Sequence, residues 1–177
     1  MSRRYTALKT KFMGENDQSI EEILEELSKI DPEFVDRLAQ MDWDSMMEEV
    51  MREAMEAAAK ECRCRVARHY RGHGSQYIGT PLKSNAKCLG ALTYGGDESH
   101  PNIGVYIQDN RVALVWARDD EQYAQATLDE WTVTLQRCHT ECTMAAIMQI
   151  FSADGEVTRE EVGEGSVMFS TNLPEVA

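Results

Sequence analysis

Five cysteines and four histidines are the residues of this chain best suited to bond-making chemistry. Cys62-Arg63-Cys64 and Cys138-His139-Thr140-Glu141-Cys142 bring most of them into two short clusters. Four thiolates, or three with the His139 imidazole, are ligands that zinc takes in a tetrahedral site. Neither cluster has the CxxC spacing that marks a zinc knuckle. Cys138 and Cys142 also fall on an apolar helical stripe, where a free cysteine behaves as a small hydrophobe. The sequence is therefore read as holding no metal and no cofactor. Cys62, Cys64, Cys138, His139 and Cys142 remain the fallback set for a metal- or thiol-dependent enzyme. An odd number of cysteines in a chain large enough to build a core points to reduced thiols and a cytoplasmic protein. His73 lies between Gly72 and Gly74, but that pair of glycines is too short for a phosphate loop.

Charge is distributed in blocks. The net charge is −13, and the segment from Gly14 to Glu61 carries 16 acids against 4 bases. From Cys62 to Gly96 there is no acid, while Arg63, Arg65, Arg68, Arg71, Lys83 and Lys87 are basic. Arg63, Arg65, Arg68 and Arg71, with Tyr70 and Tyr77 nearby, are the candidate nucleic-acid contacts, since phosphates need cations and bases need aromatic faces. The whole chain has a pI of about 4.7, so long-range repulsion opposes that role and nucleic acid is not the expected partner. Charge balance against the acidic helices explains the same arginines without a ligand.

The acidic block carries the sharper functional expectation. Met47, Val50, Met51, Ala54, Met55 and Ala58 recur as one helical stripe beside Glu48, Glu49, Glu53 and Glu56. Methionine adapts to varied surfaces, which suits helix-in-groove binding or self-association. Met47, Glu48, Met51, Glu53, Met55 and Glu56 are accordingly the candidate partner-binding residues. Dense carboxylates can also imitate a phosphate backbone, which would make the chain an inhibitor of a nucleic-acid-binding protein.

The elements that must position these residues are readable in outline. Tyr5 to Phe12 alternates as a first strand. Ser19-Ile20-Glu21-Glu22 and Ser45-Met46-Met47-Glu48 are capping boxes, and Asp31-Pro32 pairs an N-cap with a first-turn proline. Three helices are predicted over 19–60, the last at about 43–60. Cys62 to Tyr70 reads as a strand on which Cys62 and Cys64 share a face. The stretch from Gln76 to Ala86 reads as polar and irregular, and Lys87 to Tyr94 as a further strand. Ile103–Gln108 and Arg111–Trp116, joined by Asp109-Asn110, predict a hairpin at the centre of the sheet. Thr127-Leu128-Asp129-Glu130 opens a long helix to Phe151, and strands at 157–162 and 166–171 close the chain as a hairpin. The pattern predicts an α+β fold: one domain over 1–177, an antiparallel sheet backed by the long C-terminal helix, and 14–61 as an acidic helical insertion after the first strand. No run of about 20 apolar residues predicts a membrane span, and the N-terminus has no apolar signal segment.

Three stretches resemble the DUF1257 or Ycf35-like family of bacterial and plastid proteins of unknown function. They are Tyr5-Thr-Ala-Leu-Lys-Thr-Lys, then Arg68-His-Tyr-Arg-Gly72 with Asn102-Ile-Gly-Val and the hairpin ending Val112-Ala-Leu-Val-Trp, and finally Gly155-Glu-Val-Thr-Arg-Glu-Glu-Val-Gly-Glu-Gly165 before a last strand. The resemblance leaves out about 14–61 and implies a small α+β fold with no established activity.

No motif specifies a reaction. The functional expectation is a non-enzymatic interaction or regulatory protein that presents an acidic, Met-rich helical surface to a protein partner or to a second copy of itself.

Overall fold

A computed structural model describes residues 4–10, 20–70, 77–79, 81–95, 101–109, 111–152, 155–163 and 166–172. Ser19, Gly72, His73, Gly74, Asn110 and the Glu164-Gly165 turn, all singled out above, lie outside the described residues. The fold is α+β, with antiparallel pairing between all described strands and a long helix near the C-terminus. Among the described residues, no helix is long and apolar enough to cross a membrane.

The strands do not join into one open sheet. Strands β1 (Arg4–Thr10), β7 (Val157–Glu161) and β8 (Ser166–Asn172) form one sheet in the order β1-β8-β7. Strands β2 (Arg65–Ala67), β3 (Tyr77–Gly79), β4 (Lys87–Thr93), β5 (Asn102–Gln108) and β6 (Arg111–Ala117) form a second, in the order β2-β4-β5-β6-β3. The β5–β6 hairpin therefore stands at the centre of its sheet, as its β-rich runs and turn residues predict. Asp109 at its tip has φ of 50°, a left-handed conformation that Asp tolerates.

The chain divides into two compact units. The first comprises 1–42 and 140–177, the second 43–139. The acidic stretch 14–61, expected as one insertion, is divided at this boundary. Helices α1 (Ile20–Ile30) and α2 (Glu33–Ala39) belong to the first unit, and α3 (Trp43–Cys62) to the second. Helix α4 (Arg118–Phe151) runs through both and kinks at Ala124, whose φ of −137° and ψ of 30° are not helical. The helical segment after this break starts within three residues of the capping box at Thr127, and a polar helical segment from Arg118 precedes it.

In the first unit, the apolar stripe of α1 (Ile23, Leu27) meets Phe34, Met144, Ile147, Met148, Phe151, Val167 and Phe169 in one core cluster. The rings of Phe34 and Phe151 meet edge to face at 5.1 Å. Pro32 is already helical at φ −60°, ψ −26°, and Asp31 accepts the Glu33 N–H at 3.1 Å. Asp31 thus satisfies an orphan donor of α2, as the Asp-Pro pair predicts.

In the second unit, α3 packs over β4. Leu89 forms a bulge where the pairing with β5 shifts between Cys88 and Gly90. Gly90 has φ of 139°, and a Cβ there would lie 2.4 Å from the Ala67 carbonyl oxygen and 3.2 Å from the Met55 methyl. Only glycine admits both this backbone and the Met55 side chain. Helix α3 ends later than predicted, in a Schellman turn. Arg63 is left-handed at φ 57°, and the Cys64 N–H donates to the Ala59 carbonyl at 2.9 Å. Cys62 is therefore the last helical residue, and the expected strand from 62 to 70 shrinks to Arg65–Ala67.

Candidate functional site

The expected partner-binding residues separate into buried and exposed groups. Met51 is 1% exposed and Met55 0%, with Val50, Ala54, Ala58 and Ala59 buried around them. This corrects the expectation of a Met-rich outer surface. The stripe is core, because the second unit's own sheet lies against it and methionine fits the space over Gly90. Met47 and Glu48 are half-buried, and Glu53 and Glu56 are exposed. Glu48 accepts a hydrogen bond from Lys87 Nζ at 2.7 Å, which ties the first half of α3 to the start of β4. Glu49, Glu53 and Glu56 share one exposed helix face. Trp43 at the N-terminal end of α3 is 40% exposed, beside half-buried Met46 and Met47.

The cysteine set does not assemble. All five cysteines are free thiols, and the described residues contain no group of three or more His, Cys, Asp or Glu placed to hold a metal. Cys138 is buried, while Cys62, Cys64 and Cys142 are half-buried. Burial raises the Cys62 thiol above its ordinary value, opposed by a hydrogen bond with the Thr134 side chain. Burial, reinforced by the neighbouring Cys62, pushes Cys64 up to about 11. Both stay protonated near neutral pH, the reverse of an activated nucleophile. Arg63, Arg65 and Arg68 are exposed, and Arg71 lies outside the described residues.

The second unit holds a cleft that has no signature in the sequence. It has a volume of about 490 Å³ and is lined by Met51, Pro81, Val112, Leu114, Trp116, Thr132, Leu135, Gln136 and His139. Four chain segments contribute, so no single window of sequence displays it. Strand alternation places Val112, Leu114 and Trp116 on one face of β6, while Ala113, Val115 and Ala117 on the other are buried. Thr132, Gln136 and His139 stand at helical spacing on α4. The Pro81 wall is held by Gln108, whose Nε2 donates to the Pro81 carbonyl at 2.9 Å and whose Oε1 accepts the Lys83 N–H at 3.0 Å. Asp109 adds contacts from Lys83 Nζ and from Asn85 Nδ2, which lower its carboxyl below the ordinary value. Burial lowers the pKa of His139, so the imidazole facing the cleft is neutral at pH 7.

No family model matches the chain, and no curated protein or solved structure matches it.

Proposed function

We propose that the chain is a non-enzymatic interaction protein whose α3 helix presents an acidic face to a basic segment of a protein partner. The observation that carries this reading is the row Glu49, Glu53 and Glu56. These carboxylates are exposed on one helix face, and among the described residues none has an ion-pair partner. Like charges at such spacing cost an isolated helix roughly 0.2–0.5 kcal/mol per pair; Arg52 and Lys60, exposed at the same spacing, offset part of that cost, and cations from a partner would remove the rest. Trp43 supplies an aromatic anchor at the head of the same helix, the residue type that most often dominates binding energy at interfaces.

The test is capture of partner proteins by the immobilised chain at low and high ionic strength. Capture that falls steeply with salt, and is lost in both Trp43→Ala and Glu49→Lys/Glu53→Lys, supports the reading. Salt-independent capture that survives both changes removes it.

A further inference from the structure

We propose that the cleft between β6 and α4 is a binding site for an uncharged, planar, mostly apolar small molecule with hydrogen-bonding groups along one edge. Four features of the second unit converge on it. The first is uneven cover over one sheet face. Pairing places Leu92, Ile103 and Val105 on the same face as Val112, Leu114 and Trp116. The first three are buried, whereas the β6 three are half-buried and open into the cleft. Apolar surface left wet forgoes roughly 25 cal/mol per Å², and an apolar ligand recovers it.

The second feature is two-sidedness. One wall is a strand face carrying an indole and two aliphatic side chains. Another part of the lining is a helix face on which Thr132, Gln136 and His139 follow one another. A flat molecule in this slot meets apolar surface on one side and a hydroxyl, an amide and an imidazole along its edge. The third is charge. Among the described residues no Asp, Glu, Lys or Arg lines the cleft, and burial keeps His139 neutral near pH 7. A charged ligand would lose its hydration without gaining a counter-ion. The fourth is size and support. The volume of about 490 Å³ falls within the usual range for small-molecule sites, and the Gln108 amide fixes the Pro81 wall from both ends.

The probe is N-phenylnaphthylamine, a neutral flat molecule with one N–H, titrated into the full chain and followed by fluorescence. The expected result is saturable binding of one probe per chain at micromolar Kd. Anilinonaphthalene sulfonate, the anionic relative, binds at least tenfold more weakly. Leu114→Glu places a carboxylate in the apolar wall and weakens the neutral probe at least tenfold, whereas Val133→Glu, on an exposed position of α4 outside the cleft, changes nothing. Val112→Phe fills the slot and weakens binding with the melting temperature kept, which decides the matter if Leu114→Glu fails to fold. Unsaturable binding, equal affinity for the two probes, or undiminished affinity in Val112→Phe overturns the proposal.

Discussion

The ring of Tyr70 lies so close to Gly104 that a methyl group at position 104 would sit 2.6 Å from its Cγ. Val115 closes the same space from the neighbouring strand, with its Cγ2 at 2.9 Å from that position. Glycine in the middle of a central strand usually weakens a sheet. Here it lets an aromatic ring rest on the backbone, where Tyr70 also meets Tyr106 edge to face at 6.5 Å.

Gly104→Ala is expected to destabilise the protein by about 1–3 kcal/mol through overpacking. In a Tyr70→Ala background the same change should cost markedly less, because the ring it displaces is gone. Urea melts of the four members of this cycle give the coupling directly. Equal costs in the two backgrounds would mean that the ring does not cover Gly104.

Met51 and Met55 behave as core. Each truncated to alanine is expected to cost roughly 2–5 kcal/mol. The double change Met51→Asp/Met55→Asp should abolish cooperative unfolding, since two carboxylates cannot be buried without partners. A folded double variant with normal near-ultraviolet dichroism would restore the idea that this stripe serves association.

Arg63 occupies a position that most helices give to glycine. Arg63→Gly relieves its left-handed backbone and should stabilise the protein by about 0.5–1 kcal/mol. A lower melting temperature in this variant would show that the arginine side chain contributes more than its backbone conformation costs.

Two groups set opposite limits on pH stability. His139 is held below its ordinary value, so its neutral form is favoured on folding. Its contribution is complete above about pH 6.5 and declines as pH falls through the folded-state value. Cys64 is pushed up to about 11 from 9.0, so its contribution is complete below pH 9 and is lost as pH rises towards 11. His139→Leu should flatten the acid limb of a stability profile relative to wild type, and Cys64→Ser the alkaline limb. Limbs that keep their wild-type slopes in the variants would assign the dependence to other groups.

Local signals carried most of the elements. The β5–β6 hairpin, the Asp31-Pro32 start of α2 and the stripes of α1 and α3 each depend on residues close in sequence, and each is present. What failed to show was non-local. Pairing of β1 with β8 joins Arg4 to Asn172, and no property of either strand names the other. Tyr77–Gly79 is too short for its alternation to be read, and it is a strand only because β6 supplies the ladder. Burial of Met51 and Met55 does not follow from periodicity, which shows which residues share a face and not what covers that face. The cleft was invisible for a related reason: its lining comes from positions 51, 81, 112–116 and 132–139.

The five-stranded sheet ends on both sides in strands of only three residues, Arg65–Ala67 and Tyr77–Gly79. An exposed edge is a template on which a foreign strand can zip, and long flat edges are where amyloid-like growth and strand exchange begin. A three-residue template offers too few backbone bonds to hold a newcomer. Growth by adding a strand onto Arg65–Ala67 or Tyr77–Gly79 is thereby disfavoured, which leaves side-chain chemistry, able to discriminate between partners, as the better basis for recognition by the second unit.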